Sequence, residues 1–137
     1  MSTKARFTAL VLECHEKFRY TSDAPARDYP KTPGEFERDG GGDCEDGHMW
    51  IASRMGDWPE VEGTLYACVG FVPVPVSPEC PDGYGRHFWL ELEDRFSRLV
   101  GDWTSGWVNG MPDRWRRDER HPWKGDHLDN GTVENET

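Results

Sequence analysis

The chain has 137 residues, a length that fits one domain with a modest hydrophobic core and leaves no room for a second. Its 16 Lys and Arg residues face 26 Asp and Glu residues, and the formal charge of −10 disfavours nucleic acid and anionic membranes as partners. No apolar run approaches the ~20 residues that span a bilayer, and the first residues do not resemble a signal-peptide core, so we expect a cytoplasmic protein.

The chain contains four cysteines, Cys14, Cys44, Cys68 and Cys80. Disulfides are not expected, because the chain is neither short nor dense in cysteine and has no secretory signal. A structural zinc site is disfavoured as well, since such sites take two ligands from one tight loop and no CxxC pair occurs. Cys80 lies in a proline-rich stretch and is assigned no role.

The N-terminal segment, residues 4–20, predicts an amphipathic helix. Its apolar residues recur at steps of three and four and share one stripe, which comprises Phe7, Leu10, Val11, Cys14 and Phe18. A small buried core residue is the simplest interpretation of Cys14. Residues 21–42 lose this periodicity and gain prolines and glycines, so we interpret them as an extended surface segment.

A second helix is predicted to begin at Cys44. Asp43 is a good N-cap, Asp46 makes a short-armed capping box with it, and Gly56 ends the helix. A cysteine at the first helical position is chemically distinct, because free backbone N–H groups and the helix dipole stabilise a thiolate there. The N–H of Cys44 can also point at a developing oxyanion, as nucleophilic acyl transfer requires. The alternative is an ordinary capped helix with an incidental cysteine.

Three strands are expected after this helix. Residues 64–72 are apolar on both faces, which suits a buried central strand and makes Cys68 a core residue. Residues 86–93 alternate strictly and place His87 on the more polar face, and residues 96–103 form the next strand.

A hairpin with a two-residue loop at Asp94-Arg95, or with a four-residue loop from Glu93 to Phe96, predicts that His87 lies directly opposite Asp102 and that Glu91 lies opposite Arg98. Opposed Cβ atoms are about 4.5–5.5 Å apart, close enough for Asp102 to accept a hydrogen bond from the imidazole. Asp102 would then hold the tautomer of His87 and stabilise its charged form. A three-residue loop would break this register, and a structural surface histidine is the alternative interpretation of His87.

Three motifs in this order resemble those of transglutaminase-like domains, in particular the bacterial transglutaminase-like cysteine proteinases. They are Gly42-Asp43-Cys44-Glu45-Asp46, His87-Phe88-Trp89-Leu90-Glu91 and Val100-Gly101-Asp102-Trp103-Thr104. The resemblance extends over about residues 5–107. Two sites depart from the family pattern: Gly47 and His48 replace the small residues usual after the cysteine, and Trp103 stands where proline is common.

The resemblance implies an α+β fold with a papain-like core, in which the cysteine-bearing helix packs on a small antiparallel sheet. It also implies a catalytic triad in which Cys44 attacks an amide carbonyl, His87 transfers protons and Asp102 orients His87. The implied function is a thiol protease or amidase first and a transglutaminase-like acyltransferase second, acting on a protein or peptide amide without a metal or organic cofactor. A non-catalytic interaction module with the same fold is the alternative.

Two further features have simple structural interpretations. His48 shares a helical face with Cys44, but two groups on one helix rarely aim at one reacting atom, so it is second to His87 as a base. A mixed cluster of cations and aromatics could contact nucleic acid or an acidic partner but is more often a solvated surface; it comprises Arg114, Trp115, Arg116, Arg117, Arg120 and Lys124. We expect a catalytic domain over residues 1–112 and a polar extension over residues 113–137, disordered in part.

Overall fold

The computed structural model describes residues 2–21, 31–56, 63–124, 127–128 and 134–135. The elements of these residues, in chain order, are α1 (Thr3–Lys17), β1 (Arg19–Tyr20), α2 (Pro33–Asp39), β2 (Gly41–Gly42), α3 (Cys44–Gly56), β3 (Thr64–Pro73), β4 (Tyr84–Glu93), β5 (Arg98–Asp102), β6 (Trp107–Asn109), β7 (Arg116–Lys124), β8 (His127–Leu128) and β9 (Glu134–Asn135).

The strands β3 to β9 form an antiparallel sheet in the order β6-β5-β4-β3-β7-β8, with β9 also paired to β7. Helices α1 and α3 pack against this sheet, and β1 and β2 form a separate parallel pair. The expected α+β fold, with the cysteine-bearing helix on an antiparallel sheet, is therefore confirmed. Among the described helices, none combines the length and apolar character needed to cross a bilayer.

Helix α1 has its predicted apolar stripe turned towards the core. Ser2 caps it by accepting a hydrogen bond from the Ala5 N–H at 3.1 Å, and the residues of the predicted stripe, Cys14 among them, are buried in the core. The helix ends at Lys17, earlier than predicted, because Phe18 turns the chain into β1. The core interpretation of Cys14 is confirmed.

Helix α2 lies in the segment that the sequence was expected to leave extended. Thr32 Oγ1 accepts from the Glu35 N–H at 3.2 Å, and the Glu35 carboxylate accepts from the Thr32 N–H at 3.1 Å. Pro33 occupies the first helical position, where its missing N–H has no helical partner to lose. The expectation was therefore wrong for residues 33–39, while residues 22–30 lie outside the described part of the chain.

Strand β3 lies between β4 and β7, as its two apolar faces predicted. The register of the β4–β5 hairpin differs from the predicted one. Arg98 pairs with Glu93 and not with Glu91, and the same shift of two residues means that His87 is not directly opposite Asp102. The prediction of this register was wrong.

The turn between β4 and β5 explains the shift. Asp94 Oδ1 accepts hydrogen bonds from the N–H groups of Phe96 and Ser97, both at 2.8 Å, and the Asp94 N–H donates to the Ser97 carbonyl at 3.0 Å. This aspartate-stabilised loop contains residues 94–97, so it is two residues longer than the predicted 94–95 turn and begins one residue later than the predicted 93–96 loop. Because side chains alternate with a period of two, the shift leaves each side chain on its predicted face.

Strand β7 extends the sheet beyond residue 112, where composition had suggested a polar extension. Two of its arginines reach carboxylates on β4, on the far side of β3: Arg117 contacts the carboxylate of the buried Glu91, and Arg120 donates to Glu93 at 2.7 Å. Arg120 also lies 4.2 Å from the ring centroid of Tyr66. The side chains of Arg117 and Arg120 are only 4% and 12% exposed, so the interpretation of the cluster as a solvated surface was wrong for these two residues. Disorder was expected in part of residues 113–137. After residue 124, only residues 127–128 and 134–135 are described, so this expectation lies mostly outside the described part of the chain.

Candidate active site

Strand β5 ends at Asp102, whose carboxylate meets His87 on the adjacent strand β4. Asp102 Oδ1 lies 3.1 Å from His87 Nε2. The contact is diagonal across the two strands, because the register is shifted by two residues. Asp102 is buried, whereas 14% of the His87 side chain remains exposed. The structure thus brings these two predicted site residues together by a different register from the one expected.

The turn after β5 holds the carboxylate of Asp102. The hydroxyl of Thr104 donates to Oδ1 at 2.8 Å, and the hydroxyl of Ser105 donates to Oδ2 at 2.7 Å. Burial by itself would raise the pKa of Asp102, but the hydrogen bond from His87, the charges of both nearby histidines and the Ser105 hydroxyl hold it well below its usual range. Thr104 and Ser105 were not predicted from the sequence, although an Asp followed by Thr and Ser is typical of a turn in which hydroxyls bind a carboxylate.

Cys44 is the first residue of α3, as predicted, and its position depends on Asp43 and Asp46. Asp43 Oδ1 accepts from the Asp46 N–H at 2.9 Å, and Asp46 Oδ2 accepts from the Asp43 N–H at 3.0 Å. The second oxygen of the buried Asp46 accepts from the Lys31 N–H at 2.9 Å, which ties the helix start to the preceding segment. A Cβ at Gly42 would lie only 2.5 Å from Asp46 Oδ2, so the close approach requires glycine there. The predicted short-armed capping box is confirmed.

His87 has Asp102 on one side and Cys44 on the other. Burial opposes a charge on the imidazole, but hydrogen bonds to Asp102 and Cys44, together with their negative charges, raise the pKa of His87 to about 9. The imidazole is therefore mostly protonated at neutral pH. Cys44 itself is half-buried at the N-terminus of α3.

The other cysteines have different surroundings. Cys14 and Cys68 are fully buried, and burial raises the pKa of both thiols far above the ordinary value. Cys80 is half-buried in the loop between β3 and β4. The core interpretation of Cys68 is confirmed.

His48 is fully buried one turn after Cys44. Its Nδ1 lies 2.6 Å from the Cys44 carbonyl oxygen, and its Nε2 lies 3.1 Å from the Trp103 backbone nitrogen. Burial lowers the pKa of His48 to about 4, although the charge of Asp102 and hydrogen bonds to backbone groups oppose this shift. Both ring nitrogens are occupied by backbone groups, so the geometry favours His87 over His48 as the base.

Two tryptophans surround the imidazole of His87. Its ring centroid lies 6.2 Å from that of Trp89 in a stacked arrangement and 5.6 Å from that of Trp115 in an edge arrangement. Trp115 follows Arg114, the one non-glycine residue of the described chain with a positive φ, at 68°. Trp115 was predicted to belong to a solvated cluster, so its proximity to His87 was not expected.

The fold is similar to solved structures of LapG from Legionella pneumophila. The calcium-bound structure has a TM-score of 0.65 at 19% sequence identity, and the match covers 91% of this chain and 67% of that chain. A second LapG structure has a TM-score of 0.64 at 20% identity over 92% of this chain and 67% of that chain. The chain has the transglutaminase-like fold of LapG. The EGTA-treated LapG structure agrees, with a TM-score of 0.63 at 19% identity over 97% of this chain and 72% of that chain.

No family model and no curated protein matches the sequence. At 19% to 20% identity, the likeness to LapG shows the fold alone. The chemistry of Cys44, His87 and Asp102 therefore has to be argued from their own geometry in this LapG-like fold.

Proposed function

We propose that the protein is a thiol protease or amidase of the transglutaminase-like type, with Cys44 as nucleophile, His87 as acid and base, and Asp102 as the residue that orients His87. The observation that carries the proposal is the 3.1 Å contact between His87 and the buried Asp102, together with the influence of Cys44, at the first position of α3, on the pKa of His87. The motif resemblance and the LapG-like fold support the same assignment.

In the proposed reaction, the Cys44 thiolate attacks the amide carbonyl, and a C–S bond forms as the carbonyl π bond opens to an oxyanion. The N–H of Cys44 lacks a partner within the helix because it is the first residue of α3, so it can donate to that oxyanion. The His87 imidazolium then gives its proton to the leaving nitrogen, the C–N bond breaks, and an amine departs from a Cys44 thioester.

Neutral His87 completes the cycle. It removes a proton from water, the hydroxide oxygen adds to the thioester carbonyl, and the C–S bond breaks to release a carboxylic acid and the thiolate. Attack by an amine in place of water would give a new amide, which is the acyltransferase reaction that we place second. Asp102 holds the imidazole in the tautomer that both half-reactions need and remains ionised throughout.

No metal step is included in this scheme. One of the similar LapG structures is calcium-bound, but within residues 2–21, 31–56 and 63–124 of this chain no group of three or more His, Cys, Asp or Glu side chains is placed to hold a metal ion. Asp43 and Asp46, the aspartates nearest in sequence to Cys44, direct carboxylate oxygens at backbone N–H groups. The proposed steps therefore run through residues of the chain only.

The first test is the order in which the cysteines react. Limiting iodoacetamide, followed by peptide mass spectrometry, should modify Cys44 well before Cys14 and Cys68, whose thiols are buried and poorly ionised. Cys80 is the matched control, since it is half-buried like Cys44 but lies in a loop. Labelling of Cys80 at the same rate as Cys44 would contradict a special reactivity of Cys44.

The second test separates an enzyme from an interaction module of the same fold. An activated acyl ester should acylate wild-type protein by one acyl group, release its leaving group in a burst and then turn over. The Cys44→Ser variant should give neither burst nor turnover. Wild-type protein that is folded but gives no burst would favour the non-catalytic module.

A further inference from the structure

His48 connects the residue that carries the nucleophile to the residue after Asp102. Its Nδ1 faces the Cys44 carbonyl oxygen, which can only accept, so Nδ1 must carry the proton. Its Nε2 faces the Trp103 N–H, which can only donate, so Nε2 must accept. Both contacts are satisfied by one neutral tautomer, and a second proton on Nε2 would oppose the Trp103 N–H.

Trp103 makes a second connection between the same two elements, this time from the turn after β5 to the first residue of α3. Its indole N–H donates to the Cys44 carbonyl oxygen at 3.2 Å, the same oxygen that accepts from His48. Its ring is buried and packs edge-on against Phe36 of α2 at 5.6 Å between centroids. The backbone carbonyl of Cys44 is therefore held by two side-chain donors, one from its own helix and one from the turn after β5.

Gly47 makes room for this arrangement. A Cβ at Gly47 would lie 2.1 Å from Trp103 Nε1, a separation that no side chain tolerates without moving the indole. Gly47, His48 and Trp103 are the positions at which the sequence departs from the transglutaminase-like pattern. Their mutual contacts indicate that the three departures form one packed unit.

We propose that His48 and Trp103 are positioning residues that hold Cys44 in register with the His87–Asp102 pair by joining the first turn of α3 to the end of β5. The inference rests on the proposed function of Cys44, His87 and Asp102. The physical basis is that a displacement of about 1 Å between reacting groups reduces a rate by about a hundredfold. The nucleophile lies on a helix and its partners lie on strands, so the link between these elements sets their separation.

Three substitutions at His48 separate hydrogen bonding from filling of space. His48→Leu fills most of the volume without polar atoms, His48→Gln restores an N–H and a C=O at the end of the side chain, and His48→Ala leaves a cavity. Met55→Ala is the matched control, because Met55 is equally buried in the last turn of α3, away from Cys44. It should lower the melting temperature without changing the chemistry of Cys44.

The readouts are the rate at which an activated acyl ester acylates Cys44, the pH at which this rate falls on the alkaline side, and the melting temperature. We expect His48→Leu to lower the rate by about tenfold to a hundredfold and to move the alkaline limb to lower pH, because misplaced Cys44 and Asp102 stabilise the His87 charge less well. His48→Gln should recover most of the rate and the position of the limb. A rate in His48→Leu equal to that of Met55→Ala would overturn the positioning role.

An activity-independent measurement keeps the two proposals distinguishable. The titration of His87 followed by its imidazole NMR signals should have a midpoint near pH 9 in wild-type protein and a lower midpoint in His48→Leu, with recovery in His48→Gln. If wild-type protein fails to acylate, the proposed function fails, while this titration still decides whether His48 positions the group. An unchanged His87 midpoint in folded His48→Leu would refute the positioning of His87 and Asp102 against Cys44.

Discussion

The Asp102 carboxylate lies close to two histidines, one on the sheet and one on a helix. On the sheet side, His87 Nε2 of β4 lies 3.1 Å from Asp102 Oδ1; on the helix side, His48 Nε2 of α3 lies 3.7 Å from the same oxygen. The pKa of His87 is nevertheless raised to about 9, whereas that of His48 is lowered to about 4. Proximity to the Asp102 charge is therefore not sufficient to raise the pKa of a histidine.

The difference comes from burial and from what the ring nitrogens face. His87 is partly exposed, its Nε2 is within hydrogen-bond distance of the Asp102 carboxylate, and interactions with Asp102 and Cys44 favour its charged form. His48 is completely buried and faces a backbone carbonyl at one nitrogen and a backbone N–H at the other, which fits the neutral ring. The surroundings of His87 thus fit the proton-transfer role that we propose for it, and those of His48 fit the positioning role that we propose for it.

The largest expected effect comes from removing the charge between the two histidines. Asp102→Asn should reduce acylation of Cys44 by roughly a thousandfold or more, because an amide no longer holds the productive tautomer of His87 or stabilises its charge. The burst of leaving group from an activated acyl ester measures this rate, and the melting temperature reports the fold. Loss of the fold, or an unchanged burst, would make Asp102 a structural residue and remove the triad assignment.

The second prediction separates the two faces of β4. Phe88 lies on the helix-facing side, with its ring centroid 5.9 Å from that of His48, while His87 points to the other side. Phe88→Ala should cost about 3–5 kcal/mol of stability in chemical denaturation, since it empties part of the core. His87→Ala should cost far less stability but abolish the acyl burst. The reverse pattern would contradict the division between a structural and a chemical face.

The third prediction uses pH to observe each histidine separately. His87 has a folded pKa above the unfolded value of ~6.5, so its contribution to stability is complete below that value and is lost as the pH rises through about 9. His48 has a folded pKa below the unfolded value, so its contribution is present above ~6.5 and is lost as the pH falls through about 4.

Denaturant midpoints measured from pH 4 to pH 10 test this assignment. His87→Gln should reduce only the loss of stability on the alkaline side. His48→Gln should reduce only the loss of stability on the acid side. The decline above about pH 5 is the diagnostic part, because carboxylates titrate mainly below it. A single histidine variant that flattens both limbs would refute the separate roles.

The smallest expected effect concerns the space beside His48. Gly47→Ala should destabilise the protein by about 1–3 kcal/mol, because the new methyl group must displace the Trp103 indole. Gly34→Ala is the matched control, since Gly34 is also helical and a methyl group added there would meet nothing within 4 Å. It should stabilise by about 0.5–1 kcal/mol through helix propensity. Equal effects of the two substitutions would show that Trp103 moves freely.

Local signals in the sequence were sufficient for the start of the cysteine-bearing helix. The Asp43–Asp46 capping box predicted where α3 begins, and with it the placement of Cys44 at a helix N-terminus. The equivalent signal at Thr32 and Glu35 also forms a capping box, but the surrounding prolines and glycines led the sequence analysis to predict an extended segment there. Capping boxes involve residues three apart, so they can be recognised without knowledge of the tertiary structure.

Strand pairing was only partly predictable. Alternation in β4 correctly separated the face of Phe88 from that of His87, but the register depended on hydrogen bonds of Asp94 within the loop. Strand β7 was missed because its charged residues show no apolar alternation. Its Arg117 is accommodated by the buried Glu91 on β4, a partner that is distant in sequence.

The sequence by itself determined the start of the cysteine-bearing helix and the faces of β4, because these depend on periodicity and on contacts within a few residues. The type of fold followed from the resemblance of three ordered motifs to those of transglutaminase-like domains. Only the tertiary structure decided how Asp102 reaches His87 and why His48 is not an equivalent base. Those outcomes depend on which backbone and side-chain groups from α3, β4 and β5 surround one carboxylate. Contacts between distant segments determine burial and hydrogen-bond partners, and these in turn determine the charge that each histidine carries.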